Sequence, residues 1–469
     1  MASLKSTSHC AWLVSIACLI NLGACSGGGD AAAPIASQAE QSTQAEGAAT
    51  PALAAASVLA TLDIPASLTA PPFDVPRQLT VPPGFGIRLW ARVEGARFMA
   101  RAPNGDILVS QPGSGQVVLL RERSNDLPQA FTFASGLQKP HDLVFHTIGT
   151  TTYLYIAESN RITRSVYQSG DTRSATRETV VADLPDASNM TELQGNYAHE
   201  LKNIALSPEH KLYVSIASSC NACIEDTQSD PLRGAIYEYN ADGSGRRLYA
   251  RGLRNAEGLD FLPGSSALWV AVNNRDNVPY PFENDADGNG TNDAGQILPS
   301  YVDNNPPEPF TRVRDGGNYG WPFCNVLPNA EMSNLESAPD YMLNRNSSQF
   351  DCTTADRASK GIRAHSAPLG LSFLQGSTVP EAYRSGAAIA LHGCWNCTTL
   401  SAGYKVVYFS FDAEGNAGSE IDLVTGFVTD PVARSLWGRP VDVIPDANGN
   451  ILISDDYAGA IYQLYPKVQ

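Results

Sequence analysis

His199 is the residue whose chemistry is simplest to state. It closes Gly195-Asn196-Tyr197-Ala198-His199 and precedes Glu200-Leu201-Lys202-Asn203. An imidazole near its ordinary pKa is the natural general base at neutral pH. A lone His is more often structural than catalytic, so its weight depends on its surroundings. Arg254-Asn255-Ala256-Glu257-Gly258-Leu259 places a guanidinium beside an amide. Guanidinium groups grip carboxylates in bidentate fashion, although an isolated Arg is by default a surface ion pair. The chain continues through an apolar run, Leu268-Trp269-Val270-Ala271, to Asn273-Asn274-Arg275-Asp276. It returns through Asp315-Gly316-Gly317-Asn318-Tyr319-Gly320-Trp321-Pro322. Strand, polar turn and glycine-rich return suit a site built on loops at one end of a rigid sheet.

Between those ends lies an acidic loop, Asp285-Ala286-Asp287-Gly288-Asn289-Gly290-Thr291-Asn292-Asp293. Asp285, Asp287, Asn289 and Asp293 fall at positions 1, 3, 5 and 9 of an EF-type calcium loop, with Gly290 at 6 and Thr291 at 7. Gln296 stands where the bidentate Glu belongs, and no helical pattern flanks the loop. A solvated Asn/Asp/Gly turn has the same composition. The loop is read as a structural Ca²⁺ site.

The elements that must hold these residues are strands. A turn followed by a short strand recurs as Ile107-Leu108-Val109-Ser110, Leu154-Tyr155-Ile156-Ala157, Leu212-Tyr213-Val214-Ser215, Leu268–Ala271, Ile389-Ala390-Leu391-His392 and Ile451-Leu452-Ile453-Ser454. Gly234-Ala235-Ile236-Tyr237 and Gly459-Ala460-Ile461-Tyr462 form a second, nearly identical repeat. β-Branched and aromatic runs between Gly/Pro/Asn turns are strand signals. Six copies spaced by roughly 45 to 65 residues, with one wide gap between Ala271 and Ile389, point to an all-β, six-bladed propeller with a calcium-loop insertion. Its central channel would let residues as distant as 199 and 439 share one site. Two sandwich domains would leave the Gly-Ala-Ile-Tyr repeat without a reason.

From about Leu79 to the C-terminus the chain resembles the soluble quinoprotein sugar dehydrogenases of the glucose and sorbosone type. The resemblance rests on His199 with Asn203, Arg254-Asn255, Gly316-Gly317-Asn318-Tyr319-Gly320-Trp321-Pro322, Ala364-His365-Ser366-Ala367-Pro368-Leu369-Gly370 and Gly438-Arg439-Pro440-Val441-Asp442-Val443. Ser218-Ser219-Cys220-Asn221-Ala222-Cys223 resembles the sorbosone branch. The resemblance implies pyrroloquinoline quinone (PQQ) and Ca²⁺ as cofactors, with His199 as catalytic base. Arg254, Asn255, Asn273 and Arg439 would meet PQQ. The backbone carbonyls of Asn274 and Arg275 would hold the PQQ-bound Ca²⁺. It further implies oxidation of an aldose or sugar aldehyde, with electrons passed to a quinone or cytochrome. Two positions depart from the pattern. The family's His-Gly-Ser-Trp-Asn-Arg reads His392-Gly393-Cys394-Trp395-Asn396-Cys397, which loses a cation. Ser218 stands where the glucose-oxidising branch carries an acid. A calcium propeller lactonase or other hydrolase, and a non-catalytic propeller binding a cell-envelope partner, are the alternatives, since propellers host all three.

The formal charge of −16 over 469 residues argues against a nucleic-acid partner, which needs a basic face. Residues 1–24 read as an export signal whose apolar core is too short to span a membrane. Leu22-Gly23-Ala24-Cys25 resembles a bacterial lipobox, with Cys25 acylated, and Ser26 hints at the outer membrane. The expected location is the cell envelope or periplasm. Residues 25–78, rich in Ala, Ser, Gln and Pro, read as a flexible, disordered tether, and 79–469 as the propeller. Six cysteines remain after the signal and Cys25. An even set in an exported chain suggests disulfides. Local pairing gives Cys220–Cys223, Cys324–Cys352 and Cys394–Cys397, one of fifteen connectivities open to six cysteines. The two Cys-x-x-Cys pairs could instead bind zinc or act as redox centres.

Overall fold

Apolar residues on both faces of a strand need partners on both faces, and the chain meets that need by stacking sheets radially. The computed structural model describes residues 57–124 and 126–467. Six sheets follow one another around a central channel. Blade 1 runs Met99–Arg101, Ile107–Gln111, Gln116–Arg123 and Asp126–Ala134. Blade 2 runs Leu143–Ile148, Thr151–Glu158, Arg161–Tyr167 and Glu178–Val181. Blade 3 starts at Ile204–Leu206 and passes through Lys211–Ile216 and Ala235–Asn240 to Arg247–Arg251. Blade 4 starts at Asn255–Phe261, then Leu268–Asn273, Glu308–Arg312 and Ala358–Ile362. Blade 5 is Pro368–Phe373, Gly386–Leu391, Lys405–Phe411 and Ala417–Val424. Blade 6 is Pro440–Pro445, Ile451–Asp455 and Ala460–Pro466, completed by Phe85–Arg92 from the other end of the chain. The first strand of each blade packs against the first strand of the next, and the ring closes from blade 6 to blade 1.

The six apolar runs of the sequence are the second strands of the six blades. Period-two geometry explains why they are apolar throughout. In Leu268–Asn273, Leu268, Val270 and Val272 join the cluster shared with blade 3, while Trp269 and Ala271 join the one shared with blade 5. In Lys211–Ile216, Leu212, Val214 and Ile216 face blade 2 and Tyr213 faces blade 4. One apolar cluster fills each of the six seams.

Three seams also carry an inward carboxylate, buried at Asp142 and Asp442 and half-buried at Asp260. Asp142 accepts from the backbone N–H of Ile204 at 2.9 Å, Asp260 from Phe373 at 2.9 Å and Asp442 from Met99 at 2.8 Å. Each therefore ties its own blade to the first strand of the next.

The wide gap in the repeat is an insertion in blade 4, which carries the acidic loop and the extra strand Ser333–Leu335. The cysteines pair as Cys220–Cys223, Cys324–Cys352 and Cys394–Cys397. The tether expected over residues 25–78 ends sooner than composition suggested. Val58–Thr61 pairs with Gln78–Val81, and Phe73 is buried against Trp437 and Tyr462 with Arg92 over its ring. Two buried side chains, Leu62 and Phe73, suffice to seat this strap, although its average composition is that of a linker. The expected signal over residues 1–24, Cys25 and the remainder of the tether lie outside the described residues.

Candidate functional site

The first strands of blades 4, 5 and 6 share a local device. Each is irregular near its start, between Ala256 and Gly258, Pro368 and Leu371, and Pro440 and Asp442. Bulges re-aim side chains and recur beside active sites. In blade 4 the bulge also admits the next blade: a Cβ on Gly258 would stand 2.4 Å from the carbonyl oxygen of Leu369.

His199 lies in the loop before Ile204–Leu206. Its Nδ1 is 2.9 Å from both the backbone oxygen and Oγ of Ser218. The carbonyl can only accept, so Nδ1 carries the hydrogen and Nε2 keeps its lone pair. Burial, and then the facing Arg254, push the ring down to about 4, so it is neutral at pH 7. It lines a cavity of about 700 Å³ with Arg97, Gln138, Lys139, Glu200 and Glu257. A neutral imidazole with a free Nε2 can take a proton.

Arg254 and the turn after Leu268–Asn273 form one unit. Arg254 donates to the carbonyls of Asn221 at 3.1 Å, Asn273 at 3.3 Å and Asn274 at 2.6 Å, and to Asp276 at 3.0 Å. Asn255 donates to Glu257 at 3.0 Å, and Asn273 to the carbonyl of Pro368 at 2.9 Å. Arg275 pairs with buried Asp340, while its Nε is buried without a partner among the described residues. Burial, with Arg254 adding to it, lowers Arg275 to about 10.

Arg439 comes to the mouth from blade 6. It donates to the carbonyls of His392 at 3.0 Å and Gly393 at 3.1 Å and lies over the ring of Tyr404. It has no carboxylate partner among the described residues. His392 itself meets Asp456 at 2.9 Å, and Arg97 reaches the same carboxylate at 2.9 Å. The Cys394–Cys397 turn lacks the expected cation in sequence but has one in space: Arg434 donates to the carbonyls of Cys397 at 2.6 Å and Trp395 at 2.9 Å.

His365, the other histidine of the matched motifs, sits differently. Its Nε2 is 2.7 Å from the carbonyl of Val302, and its Nδ1 is 3.4 Å from Asp276. Burial opposes the charged ring, but Asp276 and Glu308 outweigh it and raise its pKa. With acceptors at both nitrogens, His365 is held as a donor and not as a base.

The structure thus brings His199, Arg254, Asn255, Asn273, Asn274, Arg275 and Arg439 to one end of the channel. The acidic loop is a separate feature of the blade 4 insertion. Carboxylate oxygens of Asp285, Asp287 and Asp293 lie within 4.8 Å of one another. Asn289 donates to Asp287 at 3.0 Å, and the Thr291 hydroxyl donates to Asn289 at 2.5 Å. Sequence reasoning did not single out Arg97, His141, Glu257 or Asp276. Glu257 and Asp276 lie inside quoted motifs without being marked out there, whereas Arg97 and His141 lie in none, and His141 meets Glu257 only through the fold.

The TrAA12-like family model matches residues 79–467. A curated relative from Borreliella burgdorferi, described as an uncharacterized protein, is 25% identical over 420 residues, 87% of this chain and 96% of its own. The holo form of the pyranose dehydrogenase PQQ domain from Coprinopsis cinerea superposes with a TM-score of 0.66 at 18% identity, covering 83% of this chain and 97% of that one. The calcium structure of Trichoderma reesei carbohydrate-active enzymes family AA12 gives 0.67 at 20% identity, over 82% and 96%. The apo-form soluble aldose sugar dehydrogenase of Escherichia coli gives 0.53 at 13% identity, over 81% and 99%.

Proposed function

The chain belongs to the TrAA12-like family, and on that premise we propose that it is a PQQ- and Ca²⁺-dependent dehydrogenase of an aldose or sugar aldehyde. The observation that carries this reading is the state of His199: a neutral ring with its hydrogen on Nδ1 and a free Nε2 on a cavity.

The residues present fit both groups. PQQ is an anionic tricarboxylate, and Arg439 is a cation without a carboxylate partner among the described residues. Ca²⁺ takes hard oxygen ligands. The Asn274 carbonyl accepts one hydrogen bond, from Arg254, and retains a second lone pair. The Arg275 carbonyl accepts none among the described residues. Arg439, Asn255 and Asn273 would hold PQQ, the carbonyls of Asn274 and Arg275 would hold Ca²⁺, and Arg254 would brace both. When bound, the quinone would accept hydride while Ca²⁺ polarises its carbonyl. His199 Nε2 takes the proton of the substrate hydroxyl, Ser218 fixes the tautomer, and Arg254 keeps the turn at Asn273–Asp276 in place.

The test is spectral and kinetic. Wild type should show a bound-quinone spectrum with PQQ and Ca²⁺ and reduce an artificial acceptor when an aldose is added. His199→Ala should keep the spectrum and lose about 10²–10⁴-fold in rate. Wild type that binds no PQQ at any Ca²⁺ concentration overturns the reading.

The same proposal covers location and partners. The signal over residues 1–24 and the Leu22-Gly23-Ala24-Cys25 motif support an exported, lipid-anchored protein of the outer membrane, with a quinone or cytochrome as acceptor. Cys25→Ser should move the protein from the membrane to the soluble fraction. A wild-type protein without a lipid adduct by mass would end that part of the proposal.

A further inference from the structure

Glu257 is the bulge residue of Asn255–Phe261, and it lines the same cavity as His199. Its Oε2 is 3.0 Å from His141 Nε2, and its Oε1 accepts from Asn255 Nδ2 at 3.0 Å. Neither partner brings charge. His141 is fully buried, its Nδ1 has no partner among the described residues, and burial lowers its pKa, so it donates from Nε2 as a neutral ring. Arg97 faces Glu257 but is engaged with Asp456 at 2.9 Å, and Lys202 donates to the carbonyl of Pro185 at 2.8 Å. Burial alone would raise the Glu257 carboxyl, yet His141, Arg97 and Asn255 hold it at about 2. A buried anion therefore stands in the cavity with no Lys or Arg in contact among the described residues.

His199 has the complementary deficit. Ser218 offers its Nδ1 two neutral oxygens, so no charge balances the imidazolium that forms when Nε2 is protonated. Arg254 opposes that charge, whereas Glu257 and Asp276 favour it. Asp276 is already shared between Arg254 and His365. Lys139 and Glu200, on the same cavity wall, pair with each other.

We propose that Glu257 is the counter-charge of His199, a positioning residue that sets how readily its Nε2 takes a proton and that serves in place of an acid at Ser218. The inference rests on the reading of His199 as general base. It predicts that catalytic proton uptake depends on a carboxylate contributed by the next blade rather than on the ring's own hydrogen-bond partner.

The test is a titration of His199 in the full chain labelled with ¹⁵N-histidine, assigned by loss of its signals in His199→Asn. Glu257→Gln should lower the His199 midpoint by about one pH unit, as expected for removing a nearby opposite charge. The acid limb of kcat/KM in the PQQ-loaded enzyme should move with it. Glu257→Asp, which retains the charge, should restore most of the midpoint. An unmoved midpoint in folded Glu257→Gln overturns the proposal. Should that variant fail to fold, ¹³C titration of the wild-type Glu257 carboxyl decides: it must stay ionised throughout the pH range in which His199 titrates, and a protonated carboxyl there overturns the proposal equally. The midpoint is read without cofactor, so it separates from failure of the dehydrogenase reading, which would appear as absent PQQ binding with the midpoint still shifted.

Discussion

Arg254 and Asp276 meet at 3.0 Å beneath the site, one nearly buried and the other mostly so. The pair makes Arg254 part of the turn's architecture as well as a cation near the proposed cofactor. Arg254→Ala should therefore weaken the apo-protein, because a largely buried carboxylate loses a charged donor and three carbonyls lose theirs. The cost should be about 1–3 kcal/mol in denaturant unfolding. PQQ affinity should fall as well. An apo-protein of unchanged stability would show that the contact contributes nothing to the turn.

Covalent closure of the blade 4 insertion gives the next expectation. Cys324 and Cys352 are 28 positions apart. In the chain-entropy model such a loop stabilises the fold by about 3.6 kcal/mol. The double variant Cys324→Ser, Cys352→Ser should lose that much by chemical unfolding. Peptide mapping without reductant should recover the linked pair, and a free thiol at either position would refute it.

Calcium at the acidic loop can be tested apart from the channel. Three gathered carboxylates repel one another unless a cation joins them. Ca²⁺ should raise the melting temperature of wild type, and Asp285→Ala with Asp287→Ala should remove most of that gain while leaving PQQ binding intact. Identical melting curves with and without Ca²⁺ would make the loop a plain turn.

The seam aspartates give a pH dependence of definite sign. Burial is the largest influence on each and outweighs the backbone N–H groups they accept from. It raises Asp142, and brings Asp260 to about 6 and Asp442 to about 7. Unfolded, such groups titrate near about 4. Between those limits each of these groups binds more protons folded than unfolded, so their contribution to stability should fall as pH rises above about 4. Asp456 works the other way: burial opposes its ionisation, but His392 and Arg97 hold it below the usual carboxylate range. Its contribution is lost only at lower pH. The lowered rings of His199 and His141 act oppositely, because they bind fewer protons folded than unfolded, so the seam contribution is read by difference: Asp442→Asn should lose less stability than wild type, or gain more, between about pH 5 and pH 8. A variant whose melting temperature changes over this window as the wild type's does would contradict the argument.

What the sequence disclosed follows from which faces are buried. Runs such as Leu268–Ala271 are apolar on both faces because each second strand lies between two seams, and that pattern survives translation into a linear string. The first strands lack it. Asn255-Ala256-Glu257-Gly258 carries no apolar alternation, because a bulge interrupts it. His199, Arg254 and Arg439 were legible through motifs that resemble a known family. Arg97, His141 and Glu257 are far apart in sequence, and only the fold brings His141 against Glu257 and Arg97 to the same cavity. The strap at residues 57–78 was misread because Phe73 and Leu62 are few, while composition averages over many.

That closure has a bearing on biogenesis. Phe85–Arg92 is synthesised near the start of the propeller, yet its partner, Ala460–Pro466, is the last of the propeller's described strands to be made. Until then blade 6 has no partner for its earliest strand, and an apolar edge with residues such as Ile87 and Leu89 stays open to wrong pairing. A nascent chain of this kind must be kept from committing until Ala460–Pro466 is available, and a truncation that removes this strand removes the clasp of the ring along with it.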